Sequence, residues 1–263
     1  MTKTILITGA TDGIGLLTAQ KLAAGGHRTL LHGRSAEKLA RAAQQVGGAA
    51  ETYLADLSMM SDVGALAEAI LAKHDRLDVL INNAGILKTP HSKTEAGRDI
   101  RFDVNTIAPY ILTRRLLPII PKDGRVVNLS SAAQAPVDVA AMSAFRPMGD
   151  MDAYAQSKLA ITIWSAEMAK DLPNGPAIMA VNPGSLLASK MVKEGFGVAG
   201  SDLNIGANVL IAASLDPEFA QASGRYFDND NGRFASPHVA ATDPGHVAAV
   251  MQALSEIVSA PKA

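Results

Sequence analysis

Tyr154 and Lys158 stand four residues apart in DAYAQSKLAI, a stretch that otherwise reads as a helix. Four residues is just over one helical turn, so the phenol and the ammonium project from one face. A free tyrosine, with a pKa of about 10, is a poor proton acceptor at neutral pH, and a nearby ammonium stabilises its phenolate. Facing a substrate, such a pair can do acid–base work; facing solvent, it is only a weak contact. Two hydroxyls, Ser130 and Ser131, close the apolar run of VVNLSSAA and stand where a substrate carbonyl could be polarised. Asn105 lies in DVNTIAP, a helical run of mainly apolar character where a buried amide needs partners.

A second constellation precedes these. TGATDGIG, Thr8 to Gly15, places Gly9, Gly13 and Gly15 where an apolar strand turns directly into a helix. Backbone free of side chains can approach a pyrophosphate there, and the N–H groups and dipole of the helix start favour that anion. A tight turn with glycines for sterics alone is the plain alternative. An NAD site usually offers an acid about 20 residues beyond the glycine turn. Here the second strand ends in LLHGRSAEK, with Arg34 in that place and His32 and Ser35 beside it. A guanidinium suits a 2′-phosphate, which predicts NADP(H) in preference to NAD(H); a solvated helix-start arginine is the alternative. Asp56, in LADLS, either accepts from the adenine amino group or caps the next helix. LINNAG, Leu80 to Gly85, ends a strand as one bordering the cofactor should.

These residues need a frame that brings strand ends together. Short apolar runs at TILIT, RTLLHG, ETYLAD, LDVLIN, GRVVNLSS and AIMAVNP alternate with helix-length stretches, and GRYF is a weaker last candidate. Ser35 is placed to cap the helix after the second run. Strands separated by helices predict an α/β fold: one doubly wound, mostly parallel Rossmann-type sheet of about seven strands with helices on both faces. No linker or repeat divides the 263 residues, so a single domain over 1–263 is expected. Two stretches resist assignment, Ala132–Asp152 and Ser185–Ser201, and loops at the strand carboxyl ends are where a substrate pocket forms.

The bulk numbers exclude several classes. A formal net charge of −1 gives no reason to expect nucleic acid or an anionic membrane as partner. No cysteine is present, which removes disulfides and thiolate chemistry. The histidines show no metal-ligand spacing, and no GxSxG elbow surrounds the serines, so neither a metal centre nor a serine hydrolase is expected. No apolar run has the length of a membrane span, and a cytoplasmic location is the expectation.

Taken together, TGATDGIG, NNAG, Asn105, the paired serines, YAQSK and the NPG of Asn182–Gly184 resemble the classical short-chain dehydrogenase/reductases. The resemblance extends from Lys3 to the C-terminal helix. It implies hydride transfer between a nicotinamide cofactor and a carbonyl or alcohol. Tyr154 would be the general acid or base, Lys158 would hold the nicotinamide ribose and depress the tyrosine pKa, and Ser131 would orient the substrate oxygen. Asn105 would position a water linking Lys158 to solvent. Gly9, Thr11, Asp12, Gly13, Ile14, Gly15, Arg34, Ser35, Asp56, Leu57, Asn83, Ala84, Gly85, Pro183 and Gly184 would line the cofactor together with Tyr154 and Lys158. The resemblance also implies a homo-oligomer, dimer or tetramer, and the apolar run Thr162–Met168 suits either a subunit face or burial against the sheet.

Two features depart from the common pattern. Ser131 precedes Tyr154 by 154 − 131 = 23 residues, a longer interval than many members show, and this resembles the retinol dehydrogenase-like branch, as does SGRYFDNDNGR. After NPG, where members often carry a threonine for the nicotinamide carboxamide, the chain has Ala188 and Ser189. Leu186, Leu187, Met191, Val192, Phe196 and Val198, with Phe145, Met148 and Met151, offer an apolar pocket if they face the cleft; Lys190, Lys193 and Glu194 are read as solvated. The expected substrate is therefore a small apolar aldehyde or ketone, or the matching alcohol. The rival readings are a dinucleotide-binding regulator without turnover, and an isomerase or dehydratase on the same fold.

Overall fold

Thr4–Ile7 (β1) is apolar on both faces and occupies the middle of the sheet, as strands covered by helices on both sides must. The computed structural model describes residues 1–48, 50–188, 191–193 and 197–259. Around β1 run β2 (Arg28–Gly33), β3 (Glu51–Leu54), β4 (Val79–Asn82), β5 (Arg125–Leu129), β6 (Ala177–Asn182) and β7 (Tyr226–Asp228), all parallel. An eighth strand, β8 (Arg233–Ala235), turns back antiparallel on β7, giving the order β3-β2-β1-β4-β5-β6-β7-β8. The seven parallel strands are those the alternating pattern predicts. The eighth is a three-residue edge strand without enough length to show a period.

Alternate residues of each central strand feed opposite cores. Leu6 and Leu30 join one cluster; Ile5, Ile7 and Leu31 join the other. The second core is closed by α1 (Gly13–Ala24), α2 (Ala36–Val46) and α8 (Leu203–Leu215). The first is closed by α3 (Met60–Leu71), α5 (Ala108–Leu116), α7 (Asp150–Asp171) and α9 (Pro244–Ser259). A short α4 (Ile100–Phe102) leads into α5 through a π-helical turn, Asp103–Ile107.

The helix carrying Tyr154 and Lys158 is α7, and it has no single apolar stripe because it is enclosed on several sides. It packs on β5 and β6, on α4 and the π turn, and on α9. Trp164 is fully buried and meets Tyr110 edge-on, with ring centroids 5.5 Å apart. The Thr162–Met168 run is thus covered by the chain's own elements, not left as a free subunit face.

Both irregular stretches have internal structure. Ala132–Asp152 contains α6 (Val139–Ser143), whose N-cap Asp138 accepts from Ala141 N at 3.0 Å and which packs against α9. Ser185–Ser201 closes on itself: Ser201 N donates to Leu186 O and Ala188 N to Ser201 O, both at 2.7 Å. Leu187 and Val192 are buried there, while Leu186 and Val198 are exposed. Ser189, Lys190, Glu194 and Phe196 lie outside the described residues.

Candidate active site

β1 lies where the chain switches direction across the sheet, with β2 on one side and β4 on the other, and a crevice opens past the carboxyl ends there. The crevice is a cleft of about 420 Å3. Gly9, Thr11, Asp12, Gly13, Ile14, Gly15, Arg34, Ser35, Asp56, Leu57, Asn83, Ala84, Gly85, Tyr154, Lys158 and Pro183 all line it. Gly184 does not, and neither do the buried Asn105 and the half-buried Ser131, the latter next to the lining residue Ser130.

The glycine turn is held from two sides. Gly9 and Gly13 have φ of +66° and +54°, a region that favours glycine. A Cβ on Gly15 would lie 2.4 Å from the Gly9 carbonyl oxygen and 2.5 Å from Asn83 Nδ2, so the turn closes only without a side chain there. Asn83 Nδ2 donates to the carbonyls of Thr8 and Gly9 at 2.8 and 3.1 Å, and Ala84 N donates to Thr8 Oγ1 at 3.0 Å. Asn83 therefore shapes the turn. Asp12 caps α1, accepting from Gly13 N at 2.7 Å.

At the far end of the cleft Arg34 is exposed and makes no ion pair among the described residues. Ser35 caps α2, its Oγ accepting from Lys38 N at 3.4 Å. Lys38 also lines the cleft, one turn along α2 from Arg34; that spacing was the available signal, and sequence reasoning passed over it. His32 is not a companion cation. It is buried, and burial pushes its pKa down to about 4. Asp56 is not the helix cap either, because Met59 holds that place. Its Oδ1 instead accepts from Ser58 N and Oγ at 2.9 and 2.8 Å, closing a turn at the cleft edge.

At the other end the two serines divide their work. Ser130 Oγ lies 2.6 Å from Thr162 Oγ1 and donates to the Lys158 carbonyl at 3.2 Å, bracing α7. Ser131, the next residue, acts on the Tyr154 phenol, while its Oγ accepts from Ala133 N at 3.1 Å. Burial raises the Tyr154 pKa and the Ser131 bond opposes the rise, leaving a net shift upward. The expected downward tuning by Lys158 is thus not the net result. Lys158 Nζ sits 5.5 Å from the Tyr154 ring centroid and donates to the Leu129 carbonyl at 2.7 Å. Its burial lowers its own pKa to about 8.

Asn105 is inside the π turn, a geometry frequent at functional sites. Its Oδ1 accepts from Ile86 N at 2.8 Å, and Nδ2 donates to Ile86 O at 2.9 Å and Ser157 Oγ at 3.0 Å. A Cβ on Gly85 would be 3.4 Å from both Asn105 Oδ1 and Lys158 Nζ, so glycine keeps open the space between them. The apolar lining comes from Ile86, Leu87, Val104 and Met191. Of the described apolar residues expected from the two irregular stretches only Met191 is in it; Phe145, Met148 and Met151 are not. Ile86, Leu87 and Val104 were missed because each reads as ordinary core.

Among the described residues no cluster of metal-ligating side chains occurs, and no helix is long and apolar enough to cross a membrane. A family profile for short chain dehydrogenase matches residues 3–196. Human retinol dehydrogenase 13 is 30% identical over 262 residues, covering 89% of this chain and 78% of that protein. A crystal structure of an uncharacterized protein from Mycobacterium paratuberculosis superposes with a TM-score of 0.79 at 30% identity, covering 97% of this chain and 92% of that one. The 3-ketoacyl-(acyl-carrier-protein) reductase of Brucella melitensis, complexed with NADH, does so with a TM-score of 0.68 at 26% identity, covering 88% and 98%.

Proposed function

This chain belongs to the short-chain dehydrogenase family, within its retinol dehydrogenase-like branch, and from that premise we propose that it interconverts an apolar aldehyde or ketone and the matching alcohol with NADP(H), using Tyr154 as proton donor and acceptor. As a family member it is an oxidoreductase acting on CH–OH and C=O groups with NAD(P). The observation that carries the finer reading is that Tyr154 and a buried Lys158 line a cleft that the glycine turn also lines, with Ser131 acting on the Tyr154 phenol.

The residues fit a dinucleotide. The cradle formed by Gly9, Gly13 and Gly15 is one that side chains would fill, and the first N–H groups of α1 lack intrahelical partners. Arg34 and Lys38 bring positive charge to the end of the cleft where a 2′-phosphate would lie. Lys158 is a buried cation that ribose hydroxyls would partner. When bound, the reduced nicotinamide supplies the hydride; the protein supplies position and the proton.

In the reductive direction Tyr154 gives its hydroxyl proton to the carbonyl oxygen as negative charge develops there, and Ser131 donates a second hydrogen bond to the same oxygen. Burial keeps Tyr154 protonated at neutral pH, the form that reduction needs. Oxidation needs the phenolate, so that direction gains as pH rises. Lys158 returns a proton toward Tyr154 through the water that Asn105 would help to hold. Ile86, Leu87, Val104 and Met191 support an apolar substrate body.

The test is NADPH consumption across a panel of apolar aldehydes and ketones, with wild type and Tyr154→Phe side by side. Turnover lost in the variant, with NADPH affinity kept, is the expected result. Equal turnover in both would remove Tyr154 from the chemistry.

A further inference from the structure

We propose that Tyr226, together with Gln134, is a positioning residue for Ser131: their side chains hold the Ser131 peptide in the one orientation that aims its hydroxyl at Tyr154. The proposal rests on the roles given above to Ser131 and Tyr154.

The geometry ties both oxygens of Ser131. Tyr226, on β7, donates its hydroxyl to the Ser131 carbonyl at 3.1 Å. Gln134 Nε2 donates to the same carbonyl at 2.9 Å and reaches Ser130 Oγ at 3.4 Å. Gln134 is itself held, because its Oε1 accepts from His238 N at 2.9 Å. On the side-chain side, Ser131 Oγ accepts from Ala133 N at 3.1 Å. A hydroxyl that accepts from an N–H keeps its own proton free to donate, and that bond narrows the directions the proton can take. Ser131 sits just past the end of β5, where ladder bonds no longer fix the backbone, so side-chain donors take over that task.

Tyr226 is suited to the role. It is 7% exposed, and burial, with the carboxylates of Asp228 and Asp230 nearby, holds its phenol in the protonated, donating form. On the Tyr154 side the charged groups near it on the same helix are Lys158 and, in the first turn, Asp150 and Asp152, and Lys88 lines the same cleft. The effect of Tyr226 therefore passes to Tyr154 through Ser131, whose carbonyl Tyr226 holds and whose hydroxyl opposes the rise of the Tyr154 pKa.

The experiment titrates Tyr154 directly in the free 263-residue chain. Wild type, Tyr226→Phe, Gln134→Leu and the double variant are labelled with meta-fluorotyrosine, and the Tyr154 resonance, assigned from Tyr154→Phe, is followed by fluorine NMR against pH. The expected result is a Tyr154 midpoint raised by about half a pH unit or more in the double variant and by less in each single one, because a misaligned Ser131 no longer stabilises the phenolate. The same substitutions made on Ser131→Ala should then move the midpoint no further. An unchanged midpoint in a folded double variant overturns the proposal, and so does a shift of equal size without the Ser131 hydroxyl. Should the double variant not fold, Tyr226→Phe, which removes one oxygen, decides between the same outcomes. The titration uses no substrate, so a protein that turns over nothing on the carbonyl panel defeats the proposed activity while this reading is still decided by the resonance.

Discussion

The backbone N–H of Gly9 donates to Nδ1 of His32 at 3.3 Å, while Nε2 of the same ring donates to the Ala55 carbonyl at 3.1 Å. One neutral imidazole thus joins the glycine turn after β1 to the end of β3, and its tautomer is set by having a donor on one side and an acceptor on the other. Protonating the ring would put a second N–H against the Gly9 N–H in a dry site.

His32 should therefore make the fold acid-sensitive. Its folded pKa of about 4 lies below the ordinary 6.5, so the unfolded chain takes up a proton first as pH falls. The stabilisation is complete above the unfolded value and is lost as pH drops from about 6.5 toward 4, a loss of roughly 3 kcal/mol. Urea unfolding across that range should show a steeper acid loss for wild type than for His32→Asn. Parallel curves would mean that the ring does not carry the sensitivity.

Lys158 should trade stability for function. Its pKa of about 8, against an ordinary 10.5, means that the folded state holds the charged amine at a cost below about pH 8, and that this cost fades as pH rises to the unfolded value. Lys158→Met removes a cost of about 3 kcal/mol but leaves the Leu129 carbonyl without its donor, for a net gain of roughly 1–2 kcal/mol at neutral pH. We expect a higher Tm at pH 7 together with lost turnover. A lower Tm at that pH would show that the burial cost is offset within the fold.

Arg34→Asp should weaken NADPH binding by at least about tenfold more than NADH binding, since a charge-assisted bond to a phosphate is replaced by repulsion. Titration calorimetry with both nucleotides measures this. Equal losses would take Arg34 away from the phosphate; a residual NADPH preference abolished by further mutating Lys38 would divide the site between them.

Gly15→Ala tests whether the glycine turn is a matter of packing. The new methyl would press on the Gly9 carbonyl and the Asn83 amide. A stability loss of roughly 1–3 kcal/mol, accompanied by weaker dinucleotide binding, is expected. Wild-type stability with binding alone lost would show that the turn can open to admit the methyl.

For Tyr154→Phe, turnover should fall by about 10²–10⁴, the usual worth of a positioned proton donor. In wild type the alcohol-oxidation rate should climb with pH toward the raised tyrosine value, while reduction holds at neutral pH. A pH-independent oxidation rate would exclude the phenol as base.

What the sequence by itself determined was everything written in local pattern. Apolar runs spaced by helical stretches specify the parallel strands, glycines between a strand and a helix specify the turn, and Tyr154 and Lys158 at helical spacing must share a face. These depend on neighbours within a few residues, so they survive without the fold. What only the tertiary structure decided depends on chain segments far apart. Ser131 is singled out from Ser130 in VVNLSS only by resemblance, and what occupies Ser130, the Thr162 hydroxyl and the Lys158 carbonyl, comes from a helix about thirty residues on. His32 is only a neighbour of Arg34 in the sequence until Gly9 and Ala55 enclose it. That most of Thr162–Met168 is buried within its own chain depends on β5, β6 and α9 packing on α7. Tyr226 lies 95 residues from Ser131, and no periodicity spans such a gap. Hydrogen bonds and burial of this kind are formed by the packed sheet and helices, and they exist only once the whole chain has folded.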